Sequence, residues 1–101
     1  MDNTILRKLF LGFIHIHVLH HAQEEPIYGS WMLEELHGHG YEISAGTLYP
    51  ILHGMEKDGL LSKSDVNVNG KIRKYYRTTE KGNHVLNEAR AKAYELFKEI
   101  K

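Results

Sequence analysis

Histidine is the residue type whose number and spacing most clearly suggest chemistry. The chain contains eight histidines and no cysteine, so a metal site in it would use imidazole and carboxylate ligands rather than thiolates. His17 and His21 lie four residues apart and His20 lies between them, so two or three imidazoles share one side of a predicted helix. His37 and His39 form a second, looser pair.

These histidines have two interpretations. Their spacing includes no carboxylate or cysteine at a defined distance, so the sequence predicts no cofactor and no metal site, and His17 and His21 are the candidate ligands if a metal is bound. Without a metal, the histidines belong to a dimer interface and to loops. Their protonation below about pH 6.5 would then make the protein more cationic and strengthen its binding to phosphate.

No catalytic arrangement is recognisable. A P-loop, a dinucleotide-binding glycine fingerprint and the HExxH metalloprotease pattern are all absent from the sequence. The adjacent acids Glu34 and Glu35 point to different sides of a helix, so they cannot act as a pair of catalytic carboxylates. We therefore expect a protein that is not an enzyme.

Charge is unevenly distributed, although 13 basic residues balance 13 acidic ones. Residues 22–60 carry seven acidic side chains against Lys57, whereas residues 61–78 carry five basic side chains against Asp65. Positive charge on a flexible element suits phosphate groups, so residues 61–78 are the candidate nucleic-acid contact. The candidate phosphate contacts within them are Lys71, Arg73 and Lys74. A solvated basic strand, protected by its charges from aggregation, explains the same residues without a ligand.

A chain of this length with 42% hydrophobic residues supports one core, so we expect one domain. Helical periodicity, caps and an Asn-Gly turn divide it into four helices and one hairpin. The predicted elements are a helix capped by Asn3 that runs to about Ala22, a helix over Gly29–Leu36, a helix capped by Ser44 that runs to about Asp58, strands over Leu61–Val68 and Lys71–Thr78, and a helix capped by Thr79 that runs from Glu80 to about Ile100.

The first and last helices predict a second copy of the chain. The first is apolar nearly all round, and the last has apolar residues at alternating steps of three and four, the seam spacing of a coiled coil. The candidate residues for a dimer and effector interface are Phe10, Phe13, Ile14, His17, Leu86, Ala89, Ala93, Leu96, Phe97 and Ile100.

The apolar stretch from Leu9 to Leu19 is far shorter than the roughly 20 residues that a membrane-spanning helix needs, and histidines interrupt it. We therefore expect no association with a membrane. The absence of cysteine is compatible with a reducing compartment, and the predicted localisation is cytoplasmic.

Four runs of residues resemble the PadR family of transcriptional regulators. They are Ile27–Gly29, Ser44–Leu52, Glu56–Leu61 and Lys74–Gly82, and together they extend over most of the chain. The resemblance implies a mainly α fold with a two-stranded β wing, namely a winged helix-turn-helix with an added C-terminal dimerisation helix. Residues 1–78 would form the DNA-binding domain, and residues 79–101 the dimerisation helix of the same compact unit.

The resemblance also implies a homodimeric repressor of transcription that binds double-stranded DNA and responds to a small-molecule effector. Ser44, Thr47 and Tyr49 would face DNA from the start of the third helix, and the basic hairpin would contact the backbone. Two structural interpretations stay open beside these roles: Ser44 acts only as a helix cap, and Tyr49 packs against Leu61 or Tyr76.

Two other functions remain possible on the sequence. The acidic helices favour a protein-interaction module that has lost DNA binding, and the histidines favour a metal sensor. The sequence also departs from the family pattern at Ser30 and Trp31, where a large ring replaces a residue that is usually polar. Core packing, a contact surface or an effector pocket would each account for Trp31.

Overall fold

The computed structural model describes residues 4–101, and the predicted cap at Asn3 lies outside them. The elements in chain order are α1 (Thr4–Glu24), β1 (Ile27–Tyr28), α2 (Gly29–Gly38), α3 (Ala45–Lys57), β2 (Leu61–Val68), β3 (Lys71–Thr78) and α4 (Glu80–Ile100). The predicted helices and hairpin are all present, and α1 and α2 each run two residues beyond their predicted ends.

The sheet has three strands rather than the predicted two. Its order is β1-β3-β2, and β1 pairs antiparallel with β3 through Ile27 opposite Tyr76 and Tyr28 opposite Tyr75. A strand of two residues is too short to show alternating polarity, so the sequence pattern did not reveal it. It forms because β3 would otherwise present unpaired backbone groups on that side.

The β2–β3 hairpin has the predicted register and turn. Val68 faces Lys71, Asp65 faces Lys74, and Lys63 faces Tyr76. Asn69 and Gly70 have φ angles of 53° and 83°, and the Gly70 N–H donates to the Asn67 side chain at 2.9 Å. Two consecutive positive φ angles are what a type I′ turn requires.

The core lies where α1, α2 and α3 meet the sheet and the beginning of α4. The residues buried in it are Ile14, Val18, Leu19, Ala22, Ile27, Met32, Leu36, Ile43, Leu48, Leu52, Met55, Leu61, Tyr76 and Leu86. The predicted cap at Thr79 is present, since its side chain accepts the Gly82 N–H at 3.0 Å. Any Cβ at Gly82 would collide with the Leu60 carbonyl oxygen, so this glycine lets α4 begin close to the turn before β2.

Two predicted interface residues belong to the core of their own chain. Ile14 and Leu86 are both buried. The second half of α1 lies beside the first half of α4, where the Gln23 side chain donates to the Asn83 side chain. Ala89 is half-buried, and every residue from Arg90 to Lys101 is exposed. Only the N-terminal part of the predicted seam therefore packs into the core of its own chain.

Trp31 is half-buried and packs against the core, so core packing accounts for it. Among the described residues, no helix combines the length and apolar character needed to cross a membrane.

Candidate nucleic-acid interface

Ser44 occupies the N-cap position of α3 but its side chain does not cap the helix. Its backbone is extended, with φ −93° and ψ 162°, and its carbonyl accepts the N–H groups of Thr47 and Leu48. The prediction that the Ser44 side chain caps α3 is wrong, because its hydroxyl donates to the Thr47 hydroxyl at 3.4 Å and accepts no backbone N–H.

One side of α3 is buried and the other is open to solvent. Leu48, Leu52 and Met55 enter the core, whereas Tyr49 and His53 are exposed. The exposed side also carries the small or compact residues Gly46, Pro50 and Gly54. A helix surface with few bulky side chains can approach the base edges of a DNA groove closely.

Tyr49 lies against the first residue of α2. A Cβ at Gly29 would collide with the Tyr49 ring, so the glycine is what permits this contact. The Tyr49 side chain remains 43% exposed, which leaves part of the ring accessible to a ligand. Tyr76 lines the same groove, whereas Leu61 is buried away from it.

The basic side chains of the wing differ in how they are held. Lys71 and Lys74 are exposed. The Arg73 guanidinium carbon lies 4.1 Å from the centre of the Tyr28 ring, and the Tyr28 and Tyr75 rings meet edge to face at 5.4 Å. The Arg73 guanidinium donates a hydrogen bond to the Tyr75 hydroxyl oxygen, which stabilises the charged form and raises the pKa of Arg73. The short strand β1 is what places Tyr28 beneath Arg73.

A groove of about 690 Å³ between α3 and the wing gathers most of the predicted DNA contacts. Its lining residues are Tyr28, Gly29, Ser30, Tyr49, His53, Val68, Asn69, Lys71, Ile72, Arg73, Lys74 and Tyr76. Tyr28, Ser30 and His53 belong to it although they were not among the predicted contacts. The Ile-Tyr-Gly run directly before α2 was the signal for Tyr28, and the spacing of four residues from Tyr49 was the signal for His53.

Ser44 and Thr47 line a different groove, between the first half of α1 and the α2–α3 connection. It measures about 1080 Å³ and also includes Phe10, Phe13 and Ile14. None of the other residues predicted for the dimer and effector interface lines this groove: His17 lies further along α1, and Leu86, Ala89, Ala93, Leu96, Phe97 and Ile100 lie on α4.

Of the two predicted histidine clusters, the one on α1 (His17, His20 and His21) lies close to His39 but not to His37. His17 stacks beside His21, and its ring centre lies 4.6 Å from that of His39. His37 instead contacts the Ile43 carbonyl oxygen through Nε2 at 2.7 Å, which fastens the α2–α3 connection.

Three helices followed by a hairpin beside the third helix define a winged helix-turn-helix protein. A sequence profile described as "Transcriptional regulator PadR-like family" matches residues 18–88, and the chain belongs to that family. This confirms the resemblance inferred from the four motifs. The protein is therefore a transcriptional regulator of a family whose members bind DNA.

Individual relatives agree over nearly the full chain. The transcriptional regulator Rv3488 of Mycobacterium tuberculosis is 41% identical over 95 residues, which cover 94% of this chain and 89% of the relative. A PadR family regulator from Eggerthella lenta superposes with a TM-score of 0.83 at 37% identity, covering 97% of this chain and 87% of that one. A PadR-like regulator from Bacillus cereus gives a TM-score of 0.84 at 27% identity, covering 92% of each chain.

Proposed function

We propose that this protein is a homodimeric repressor that binds double-stranded DNA sequence-specifically through α3 and the wing. The observation that carries the proposal is the groove in which Tyr49 of the third helix faces the three cationic side chains of the wing. Such a protein acts where the chromosome is, and the location we propose for it is the cytoplasm.

The third helix supplies the contacts that read sequence. Its N-terminal backbone N–H groups favour a nearby phosphate, and Ser44 and Thr47 present hydroxyl groups at the same end. Tyr49 and His53 lie on the exposed side, where a phenol and an imidazole can exchange hydrogen bonds with base edges in the major groove. The small residues between them let the helix approach the bases.

The wing supplies affinity. Lys71 and Lys74 are free to follow the phosphate backbone, while Arg73, held over the Tyr28 ring, presents its charge from a fixed position. Binding to DNA depends on the charge next to the phosphates rather than on the net charge of the protein. The cations of the wing project from the hairpin, so they outweigh the acidic helices at the DNA surface.

The dimer forms through the exposed apolar parts of α1 and α4. The large apolar side chains exposed there are Ile5, Leu6, Leu9, Phe10, Phe13, Tyr94, Leu96, Phe97 and Ile100. A second copy related by a two-fold axis would cover them and would present two recognition helices to one duplex. Residues 79–101 act as the dimerisation helix in this arrangement, and residues 1–78 carry the DNA contacts.

An effector would act on the angle between the two subunits. The groove beside Phe10 and Phe13 lies between α1, which contacts the partner, and the α2–α3 connection, which leads into the recognition helix. A small molecule bound there changes DNA affinity if it binds more tightly to one arrangement of the dimer than to the other.

The test is selection of bound sequences from a random duplex library, followed by affinity measurements over a range of salt. We expect a pseudo-palindromic site with half-sites one turn, roughly 34 Å, apart. Replacing Lys71, Arg73 and Lys74 together by alanine removes six cations from the dimer, so the slope of log affinity against log salt becomes shallower by up to about 5. Lys98→Ala, which removes two cations from the dimer on the exposed part of α4, is the control and leaves the slope unchanged.

Placing the selected site before a reporter gene tests repression, and we expect lower transcript levels when the protein is present. A protein that enriches no sequence, or a triple variant with an unaltered slope, would contradict DNA recognition by this surface. A transcript that rises would contradict repression alone. Salt-independent capture of a protein partner, without DNA binding, would favour the interaction-module alternative.

A further inference from the structure

Three histidines and one glutamate converge where α1 passes the end of α2. The Glu35 Oε2 atom lies 3.3 Å from His21 Nε2 and 3.1 Å from His39 Nε2. His17, on the same side of α1 as His21, completes the group, and one nitrogen from each of the three imidazoles lies within 4.8 Å of the others. The carboxylate that the sequence spacing lacked is thus supplied from another helix.

We propose that His17, His21, His39 and Glu35 bind one divalent cation of the zinc class. The site goes beyond the proposed DNA binding and does not depend on it. It would join three separate parts of the chain: the dimer helix α1, the helix α2 and the α2–α3 connection.

The distances suit a tetrahedral centre. Metal–ligand bonds of about 2.0–2.1 Å at tetrahedral angles separate neighbouring ligand atoms by roughly 3.3 Å. The two distances from Glu35 already match that separation. The three imidazole nitrogens lie within 4.8 Å of one another, so a bound ion would have to draw them closer by side-chain rotation, and His39, which is exposed at the end of α2, can rotate toward the other two.

The donor set selects the class of ion. Three imidazole nitrogens with one carboxylate oxygen suit Zn²⁺, Co²⁺ and Ni²⁺, whereas Mg²⁺ and Ca²⁺ prefer oxygen ligands throughout. Metal binding also requires neutral imidazoles. Burial, followed by repulsion from the neighbouring histidines, lowers the pKa of His17. Burial lowers the pKa of His21 as well, against the opposing effect of Glu35.

Two aromatic rings and a second carboxylate lie beside the proposed ligands. The Trp31 ring meets the His21 ring edge to face at 5.3 Å, and the Tyr41 ring meets His17 at 5.5 Å. Glu24 faces the Nδ1 atom of His21 at 3.9 Å, on the side opposite Glu35. Glu24 makes no hydrogen bond to His21 at that distance, but it is near enough to accept one from Nδ1 once a metal is bound to Nε2, and such a bond would orient the imidazole.

A neighbouring group gives the alternative location. His20, His21 and Glu24 also bring three ligand atoms together, and they share His21 with the proposed site. That group lies on one helix and is more exposed, and it lacks a ligand from any other element. Variants of His20 and His39 therefore distinguish the two locations.

The experiment titrates the chelator-stripped full chain with Co²⁺ and then displaces the Co²⁺ with Zn²⁺. Trp31 is the only tryptophan of the chain, so quenching of its fluorescence reports an ion bound beside His21. Four-coordinate Co²⁺ also absorbs visible light far more strongly than six-coordinate Co²⁺. We expect saturation at one ion per chain, strong visible absorption, and a higher melting temperature with Zn²⁺.

The variants assign the ligands. His39→Ala and His21→Ala should each weaken Zn²⁺ binding by more than about a hundredfold, since even outer partners of a metal site contribute tenfold to a hundredfold. His39 is exposed, so its variant keeps the fold even if His21→Ala does not, and circular dichroism checks this. His20→Ala should bind normally. His84→Ala is the matched control, because His84 also pairs with a carboxylate, Glu88, one helical turn away at 3.3 Å.

Three results would overturn the site. The first is a wild-type chain with no saturable binding at micromolar Co²⁺. The second is a His39→Ala variant that binds as tightly as wild type. The third is a loss of binding in His20→Ala that His39→Ala does not share, which would place the ion on α1 alone. DNA binding by the same samples is measured separately, so Co²⁺ saturation without DNA binding would contradict the proposed function and leave the metal site standing.

Discussion

Two regions of the molecule differ in whether a single chain can complete them. One is the groove between α3 and the wing, and the other is formed by the exposed ends of α1 and α4. The groove is assembled within one chain. Water hydrates its charged and hydroxyl groups, so the groove needs no partner chain to be stable. The exposed ends carry large apolar side chains such as Phe97 and Ile100, which are 61% and 67% exposed. Leaving apolar area in water costs about 25 cal/mol per Å², so that surface is stable only when another surface covers it.

One part of the last helix is covered by its own chain and the other part is exposed. Leu86 is 0% exposed and Leu96 is 52% exposed, although both fall on the same predicted seam. The difference teaches that a periodic apolar pattern identifies the side of a helix that must be covered but not the chain that covers it. Four experiments test the contrast between the two regions.

The largest expected effect comes from charges on the exposed end of α4. Replacing Leu96 and Phe97 together by aspartate should give a monomer that keeps its helix content, because neither residue is in the core. DNA affinity should fall by about 10²- to 10⁴-fold, since two linked half-sites are reduced to one. Light scattering and fluorescence anisotropy measure the two effects. Ile72→Asp, at an exposed position of the wing, is the control and should leave the mass of the dimer unchanged. If both variants dissociate equally, the exposed end of α4 has no special part in assembly.

Leu86→Ala should act on folding rather than on assembly. A buried leucine truncated to alanine loses about 2–5 kcal/mol of unfolding free energy through lost transfer energy and a cavity. Urea denaturation measures this, with Leu96→Ala as the matched control that changes the dimer more than the fold. A small effect of Leu86→Ala would mean that the first half of α4 does not belong to the core.

Gly29→Ala should disturb the groove itself. The added methyl group collides with the Tyr49 ring, so we expect a loss of about 1–3 kcal/mol in stability and weaker DNA binding with no change in dimer mass. Gly38→Ala is the control, because no atom lies within 4 Å of its added methyl group and stability should rise by up to about 1 kcal/mol. Similar behaviour of the two variants would place the Tyr49 ring elsewhere.

The smallest effect separates the two helix caps. Thr79→Ala should cost about 1 kcal/mol, because the Thr79 hydroxyl accepts the Gly82 N–H. Ser44→Ala should change stability less, because the Ser44 hydroxyl contacts Thr47 rather than the backbone. Thermal unfolding compares them directly. A larger loss in Ser44→Ala would show that its hydroxyl caps α3 after all.

Much of the fold was predictable because its signals are local. The Asn-Gly turn, the cap at Thr79 and the periodic apolar residues specified the hairpin, its register and the start of α4. The strand β1 was missed because two residues carry no periodicity. In the candidate interface, the wing cations were predicted from charge alone, whereas the contact of Tyr28 with Arg73 depends on a strand pairing between distant residues.

By itself, the sequence determined the family, the order of the four helices and the hairpin, the basic character of the wing and the need to cover two apolar helices. These properties follow from residue type and short-range spacing, which exist before the chain folds. Only the tertiary structure decided that Leu86 and Ile14 belong to the core of one chain, that Ser44 and Thr47 line a different groove from Tyr49, and that Glu35 contacts both His21 and His39. Those facts depend on where helices cross, and a crossing is set by the packing of side chains that are far apart in the sequence.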